Sequence, residues 1–437
     1  RINYIYSPIN SLQLSLILKQ DRMQNYLRIT LLSLITITTL SCGSPDEKEK
    51  ESSAQKNNQE LPQQVKADSL YHVDMEDIQN QGKDIYLSDI VKSIEYIPLE
   101  TTNKYLIGET KVKIKPCAEY IFVGEHGKPL GVFSRSGKFI KTIGTIGKGP
   151  GEYNFDYDFW PDEKSRTVYI ANATLRAITG YSFDGEHIRD IKPEIAPVNF
   201  IPMGDNQFLT WFFIQQEHEG GYFRYFIHDT AGIISQRFLE DQIELKRSAR
   251  LSILSPHMMN SPNGVLCNSW EEDYILRATP DGRFEPALSW SLGKYKMPFD
   301  PMEDFDRYDR EKHKYIRDIN GMETRNNWYL KFFFKNKLEF AVFEKASGKI
   351  SLVSNPDYQQ EGVQNDYDGG PSFWPFWYTE KGQYFFKLIQ SVDLIQGSLE
   401  QEKNIVIKNK EAANRYRVMI SNLSTNSNPV LMIVELK

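Results

Sequence analysis

The sequence predicts an all-β fold, and three features support this. Short runs rich in β-branched and aromatic residues recur along most of the chain, such as YIFVGE (120–125), TVYIAN (167–172) and NWYLKFFF (327–334). Such runs are typical of strands. The 24 tyrosines and 25 phenylalanines among 437 residues also favour strands. Few long helical patterns compete with them, and the clearest is EAANRYRVMISNL at 411–423.

A strand–turn–strand unit recurs at a nearly constant interval. In each copy a polar turn ends in glycine, as in GVFSRSGKFI at 131–140. The glycine supplies the positive φ that such a turn needs without a steric cost. Successive turn glycines are 48, 47, 50 and 66 residues apart. They are Gly137, Gly185, Gly232, Gly282 and Gly348. The longest interval contains the charged segment 294–314, which we expect to be a surface insertion.

This period predicts a six-bladed β-propeller with four-stranded antiparallel blades. The five turns mark five blades, and residues 372–391 and 429–437 supply most of a sixth. We expect the N-terminal strand SIEYIPLE (93–100) to add the outer strand of this blade and so close the ring. A pair of β-sandwiches does not explain the period, and the repeat is too long for one coil of most β-helices. Seven blades are the alternative count.

The N-terminal region resembles a bacterial lipoprotein signal peptide. Residues 23–41 contain Arg28 and the apolar stretch 29–40, and Cys42 follows them directly. The apolar stretch is shorter than the ~20 residues of a membrane span. Cys42 is therefore the expected lipidation site. The alternative is an ordinary secretory signal with an incidental cysteine.

The remaining segments complete the predicted domain organisation. Residues 1–22 are interpreted as an over-extended start, residues 42–83 as a polar flexible tether, and residues 84–437 as the propeller. A net charge of −6 excludes the basic surface of a nucleic-acid-binding protein, so membrane contact is expected only through a lipid on Cys42. The three cysteines form no disulfide framework, and Cys117 and Cys267 are expected to be buried thiols.

Four separated motifs carry a family resemblance. They are IEYIPLET (94–101), SRSGKFIKTIGTIGKGPGEY (134–153), DGGPSFWP (368–375) and NPVLMIVELK (428–437). Together they resemble the six-bladed β-propeller lipoproteins of Bacteroidetes, a group similar to NHL-repeat propellers. The resemblance covers roughly residues 84–437. It implies the fold and an outer-membrane lipoprotein facing the periplasm or the cell surface, and it implies little about activity.

The segment IGTIGKGPGEY (143–153) superficially suggests a phosphate-binding loop. However, Gly149 follows Lys148 where such a loop needs Ser or Thr, and Thr142 stands where its first glycine is required. No helical pattern follows. We interpret the segment as a connector between two blades, in which Glu152 caps or pairs locally.

Motifs for metals and catalysis are also incomplete. None of the seven histidines lies in an HExxH or HxH pattern, and there is no GxSxG motif. Asp366 and Asp368 in NDYDGG begin like a calcium loop but lack its later ligands and flanking helices. A tight Asx turn explains the same residues. No cofactor is expected, and calcium stays the one open candidate.

A repeated Phe-Trp-Pro sequence suggests a ligand site. It occurs in YDFWP (157–161) and PSFWP (371–375), each time after an acidic, glycine-containing turn. Propellers commonly bind ligands at the mouths of their channels, where aromatic rings and carboxylates suit sugars or cationic peptides. The candidate ligand-binding residues are Asp158, Trp160, Asp366, Asp368 and Trp374. Alternatively, the two tryptophans wedge adjacent blades apart.

These observations favour a lipid-anchored envelope propeller that acts as a non-catalytic binding or scaffold module. Its expected partner is a glycan, a peptide or an envelope protein. The alternative is a propeller hydrolase or lyase acting on extracellular glycans or peptides. Paired catalytic carboxylates cannot be selected by sequence from 58 acidic residues, so whether the protein is an enzyme stays open.

Overall fold

The computed structural model describes most of the chain from Tyr71 to Lys437. The residues outside the description are 1–70, 109–111, 150, 155–157, 173–174, 196–198, 205, 242–256, 269–272, 300, 302–303, 376–383 and 402–404. The predicted start, the signal peptide, Cys42 and the tether as far as residue 70 therefore lie outside the described residues. In the described part, no helix is long and apolar enough to cross a membrane.

Six small antiparallel sheets form a six-bladed β-propeller, as predicted. The described chain begins with β1 (His72–Asp74), β2 (Gly82–Lys83), helix α1 (Leu87–Ile90) and β3 (Val91–Pro98). Blade 1 contains β4 (Lys113–Pro116), β5 (Tyr120–Gly124), β6 (Leu130–Ser134) and β7 (Phe139–Ile143). The connector to blade 2 contains β8 (Thr145–Ile146) and β9 (Glu152–Tyr153).

Blades 2 to 4 each pair their strands in sequence order. Blade 2 contains β10 (Phe159–Asp162), β11 (Thr167–Asn172), β12 (Ala177–Ser182) and β13 (His187–Ile191). Blade 3 contains β14 (Asn199–Gly204), β15 (Gln207–His218), β16 (Gly221–Asp229) and β17 (Ile234–Asp241). Blade 4 contains β18 (His257–Ser261), β19 (Gly264–Asn268), β20 (Tyr274–Ala278) and β21 (Phe284–Ser291).

Blades 5 and 6 complete the ring. Blade 5 contains β22 (Arg317–Glu323), β23 (Asn327–Phe334), β24 (Lys337–Glu344) and β25 (Lys349–Val353). A small hairpin follows, formed by β26 (Pro356–Asp357) and β27 (Gly362–Val363). Blade 6 contains β28 (Tyr384–Ile389), β29 (Val430–Leu436) and, as its outer strand, β3. Most of the predicted first strand of blade 6 lies within 376–383, outside the described residues.

The ring closes through β3, as the sequence predicts. β3 pairs antiparallel with β29, so that Tyr96 lies opposite Met432. The first turn glycine, Gly137, packs against the end of β3. A Cβ at this position would collide with the carbonyl oxygen of Pro98, and Gly137 also has a φ of +83°. Its N–H donates to the carbonyl of Ser134 at 2.9 Å. The other four turn glycines also have positive φ, which confirms the predicted repeat.

The boundary of the tether differs from the sequence-based prediction of residue 83. β1 adds a parallel fifth strand to β21 of blade 4, and β2 adds one to β25 of blade 5. Val73, Met75 and Ile78 are fully buried between them. Because polar residues surround these few apolar side chains in the sequence, the composition of 42–83 did not predict that they are buried. We call residues 71–83 the N-terminal belt.

In the glycine-rich connector, a carboxylate of the segment itself binds the backbone of the loop. The Glu152 carboxylate accepts a hydrogen bond from the N–H of Gly149 at 2.8 Å. The buried Tyr153 hydroxyl donates to the Ile143 carbonyl and accepts from the Leu130 N–H, each at 2.7 Å. The segment thus fixes the passage from blade 1 to blade 2, which confirms the connector interpretation.

Helices lie outside the blades. α2 (Phe305–Glu311) is part of the predicted insertion, and α3 (Ser391–Gln401) and α4 (Lys410–Ser421) lie between β28 and β29. α4 matches the predicted helix closely, and its N-cap Asn409 accepts from the Ala412 N–H at 3.0 Å. Tyr416 of α4 contacts Tyr96 of β3 with ring centroids 4.9 Å apart. The helix therefore covers the outer edge of blade 6.

The cysteine prediction is confirmed for both residues that the structure describes. Cys117 and Cys267 are both buried, and neither forms a disulfide. Cys267 lies in an apolar cluster between blades 2, 3 and 4, and burial raises the pKa of its thiol far above the ordinary range. Both thiols are therefore protected from oxidants in the folded protein.

Candidate functional site

Two lysines of blade 1 meet a carboxylate and a tryptophan of blade 2. The first strands of propeller blades line the central channel. Lys113 and Lys115 lie on β4, the first strand of blade 1, and Asp158 directly precedes β10, the first strand of blade 2. The Lys115 Nζ lies 3.1 Å from Asp158 Oδ1, and the Lys113 Nζ lies 3.6 Å from the same oxygen. We call Lys113, Lys115, Asp158 and Trp160 the channel cluster.

The charges of the channel cluster are set by burial and by their mutual contacts. Burial lowers the pKa of Lys115 to about 7, although Asp158 opposes this shift. Burial alone would raise the pKa of Asp158, but Lys113 and Lys115 outweigh it and lower that pKa. Asp158 therefore stays ionised at neutral pH, while Lys115 titrates near neutrality.

Trp160 has no open face for a ligand. The Lys115 ammonium lies 3.0 Å from the centre of its ring, a cation–π contact. The ring is 9% exposed and packs into the apolar cluster that joins blades 2 and 3. Its environment matches the wedge alternative rather than a sugar-stacking platform.

Asp366 and Asp368 lie in a buried turn between blades 5 and 6. Asp366 accepts hydrogen bonds from the N–H and the hydroxyl of Ser88 at 2.8 and 2.7 Å. Asp368 accepts from the Tyr96 hydroxyl at 3.1 Å and from the Gly370 N–H at 2.9 Å. Burial raises the pKa of Asp368. The two carboxylates hold the turn against α1 and β3.

Trp374 completes this second group and is also buried. Its ring lies 5.5 Å from that of Tyr329 and 5.0 Å from that of Phe340, both in blade 5. The structure thus separates the five candidate residues into two groups. Asp158 and Trp160 contact blade 1, whereas Asp366, Asp368 and Trp374 contact blade 5 and the edge of blade 6.

Metal ligands are not clustered in the part of the chain that the structure describes. No three His, Cys, Asp or Glu side chains there lie close enough to hold one ion. Asp366 and the Oδ1 atom of Asp368 accept hydrogen bonds from donors of the protein itself, and calcium at this turn stays a prediction.

A groove at the outer edge of blade 6 was not visible in the sequence. Its volume is about 700 Å³, within the range of small-molecule sites. The lining residues are Ser88, Val91, Lys92, Tyr367, Lys408, Asn409, Lys410 and Lys437. We call it the lysine groove. Ring closure alone brings Lys92 beside Lys437, so no local pattern could have indicated it.

Several solved structures are similar to the chain, and the first of those that follow supports the fold. A protein of Bacteroides fragilis, described as exported, is similar with a TM-score of 0.60 and 14% identity over 84% of this chain and 99% of its own. A member of the DUF4221 family from Bacteroides vulgatus is similar at a TM-score of 0.45 and 11% identity, over 82% and 99%. A streptogramin B lyase matches at a TM-score of 0.33 and 12% identity, over 62% and 75%.

The sequence itself matches one protein family over most of the described chain. No curated protein sequence matches the chain. The family model described as a domain of unknown function, DUF4934, matches residues 70–435. This range starts at the N-terminal belt and ends in the last strand of blade 6, so it spans the whole ring. The chain belongs to the DUF4934 family.

Proposed function

We propose that this protein is a lipid-anchored β-propeller of the cell envelope that binds a ligand without chemically transforming it. One observation carries the proposal. Each candidate carboxylate is engaged in holding the fold: Asp158 with two lysines, Asp366 with Ser88, and Asp368 with Tyr96. A catalytic acid or base needs access to its substrate.

Two observations support the envelope location. The segment 23–41 with Cys42 resembles a lipoprotein signal peptide. The Bacteroides fragilis protein of similar fold is described as exported. Labelled palmitate supplied to the producing bacterium should be incorporated into the wild-type protein. The Cys42→Ser variant should remain unlabelled, and labelling of that variant would contradict lipidation at Cys42.

The channel cluster indicates an acidic ligand group. It contains two lysines for one carboxylate, and Lys113 is 43% exposed while Asp158 is 17% exposed. A carboxylate of a glycan, of a peptide or of an envelope protein would pair with Lys113 at the channel. Binding there needs no free catalytic group.

Binding arrays test this proposal directly. Purified protein is applied to glycan and peptide arrays that include acidic and neutral members. We expect binding to acidic members, loss of that binding in Lys113→Glu, and retention in the matched control Lys349→Glu, an exposed lysine of blade 5. Turnover of an array member that the protein does not retain would refute a pure binding module.

One observation favours the enzyme alternative. Lys115 has a pKa of about 7, is buried, and contacts an ionised aspartate, which are properties of a general base. A hydrolase or lyase using it would release products from acidic glycans or peptides. Chromatographic assays would then show product with the wild type and none with Lys115→Met.

A further inference from the structure

The lysine groove is a second positively charged feature, separate from the channel cluster. Its residues come from α1, β3, the turn around Tyr367, the start of α4 and the end of β29, whereas the channel cluster comes from blades 1 and 2. Four lysines line it, and no acidic residue does. Beside it, Glu435 pairs with Lys92 at 2.7 Å, and Asp366 is bound to Ser88. Lys92 is therefore paired with a carboxylate, and Lys408, Lys410 and Lys437 supply the positive charge of the groove on a protein whose net charge is −6.

Two of these lysines stand where a cation is unfavourable. Lys408 precedes the N-cap Asn409, and Lys410 is the first residue of α4. The N-terminus of a helix carries partial positive charge, so acidic residues are favoured there and lysines are disfavoured. Local rules of this kind are typically broken at functional sites. A bound anion would relieve both the helix end and the mutual repulsion of the lysines.

The walls of the groove are held together before any ligand binds. The Asn409 side chain donates to the Tyr367 hydroxyl at 3.0 Å, and the Asn409 N–H donates to the Tyr367 carbonyl at 2.9 Å. Tyr367 in turn donates to the Lys92 carbonyl at 3.3 Å. On the opposite wall, Lys437 Nζ donates to the Ser88 carbonyl at 2.8 Å. This preorganisation reduces the ordering cost of binding.

We propose that the lysine groove binds a segment of an acidic polysaccharide that bears carboxylate or sulfate groups. The groove is shallow and widely open to solvent, as a site for a long chain must be, and Val91 is its one aliphatic lining residue. Lysines from facing walls can pair with several anionic groups along a chain, because an ammonium is a point charge without a planar geometry to satisfy. An anionic membrane surface is a less suitable partner, because a protein that docks on a membrane usually places exposed apolar side chains beside its lysines. The exposed apolar residue nearest to the groove in sequence is Val406, and it does not line the groove.

Binding of polygalacturonate to the purified mature chain tests the proposal by calorimetry. We expect binding that weakens with added salt, and no binding of neutral dextran. The double variant Lys408→Glu, Lys410→Glu should lose at least about tenfold in affinity, because attraction becomes repulsion at short range. Acidic residues suit the N-terminus of α4, so this variant should fold. Retention of binding by Lys408→Arg, Lys410→Arg would show that charge is the cause.

A matched control carries the same change of charge elsewhere. Lys138→Glu, Lys349→Glu alters exposed lysines in blades 1 and 5 and should bind as the wild type does. Both double variants leave the channel cluster intact, so a loss confined to Lys408→Glu, Lys410→Glu assigns this binding to the groove rather than to the proposed channel site. Equal binding by the variant Lys408→Glu, Lys410→Glu and by its control Lys138→Glu, Lys349→Glu would overturn the proposal. So would a preference for anionic phospholipid vesicles, or equally tight binding of inorganic phosphate alone.

Discussion

Blades 1 to 3 and blades 4 to 6 differ in how the unpaired outer edges of their sheets are protected. The outer strands β7, β13 and β17 are terminal in their sheets among the described residues. In contrast, β1 and β2 extend blades 4 and 5, and helices α1 and α4 pack along β3 of blade 6. We call these the open half and the covered half.

The open half relies on charged side chains rather than on cover. Ile140 and Ile188 on its outer strands are 45% and 42% exposed, and they alternate with polar or charged neighbours such as Lys141 and Arg189. Charged side chains on an edge strand discourage pairing with other chains. The comparison shows that additional elements bury the outer strands in the covered half, which is also where the ring closes.

The largest expected effect comes from removing the cover. A chain that starts at residue 84 lacks the N-terminal belt and with it the burial of Val73, Met75 and Ile78. Each fully buried side chain contributes roughly 1.5–3 kcal/mol, so we expect a loss on the order of 5 kcal/mol in the free energy of unfolding. Urea denaturation of chains starting at 67 and at 84 measures it. Equal midpoints would show that the belt does not staple blades 4 and 5.

A buried ion cluster gives the second effect. Glu323 of blade 5 is 1% exposed and pairs with Arg277 of blade 4 at 2.7 Å and with Lys345 at 2.8 Å. Glu323→Ala removes the buried anion of the cluster, so that Arg277 keeps only its pair with the more exposed Glu285, and the expected cost is about 3–5 kcal/mol. Thermal and urea unfolding measure this loss.

The matched control for that cluster lies in the open half. Glu119 of blade 1 pairs with Arg166 of blade 2 at 2.6 Å, but both side chains are about half exposed. Glu119→Ala should leave stability unchanged, because solvent screens such a pair. Similar losses from Glu119→Ala and Glu323→Ala would remove the contrast between the halves.

The repeat was predictable from the sequence because every copy has the same local conformational requirement. Each turn needs a positive φ, and Gly137 and Gly185 mark it in the sequence at the same place in each blade. β1 and β2 were not predictable, since strands of three and two residues carry no periodicity. Their register is set by β21 and β25, far away in sequence.

The candidate residues show the same limit. The position of Asp158 at the start of a first strand followed from the blade pattern, but its ion pairs with Lys113 and Lys115 depend on the packing of a neighbouring blade. Trp160 has the same sequence signature whether it faces a ligand or a core. Only its contact with Lys115 distinguishes the two.

A pH experiment extends the comparison, because buried titratable groups of opposite sign lie in the two halves. His228 of blade 3 is 1% exposed, accepts or donates a hydrogen bond with Thr210 at 2.9 Å, and stacks on Phe208. Burial lowers its pKa. Below the ordinary histidine value of about 6.5 the unfolded chain then binds a proton that the folded chain does not, so stability falls as pH decreases.

We expect this loss to reach at most about 1.4 kcal/mol per pH unit below that value. Urea unfolding at pH 7 and pH 5.5 measures it, and His228→Gln serves as the control because it removes the titration. The difference between wild type and variant isolates His228 from the carboxylates. An identical pH dependence in both proteins would show that folding does not lower the pKa of His228.

The smallest expected effect concerns Asp368 in the covered half. Its Oδ1 accepts from Tyr96, Asn365 and Gly370, while its buried Oδ2 has no hydrogen-bond partner among the described residues. Burial raises the pKa of this carboxyl, so its charge is a cost at neutral pH that is relieved as pH falls towards the folded-state pKa. Asp368→Asn keeps the accepting oxygen and removes the charge.

We therefore expect the free energy of unfolding of Asp368→Asn at pH 7 to lie within about 1 kcal/mol of the wild type, on the stabilising side. The gain should shrink at pH 4, where the wild-type carboxyl is closer to protonation. Ligand binding on the arrays should be unaffected, because Asp368 is buried. A variant that keeps its stability but loses binding would return Asp368 to the ligand site that the sequence suggested, and would add a second recognition site to the covered half besides the lysine groove.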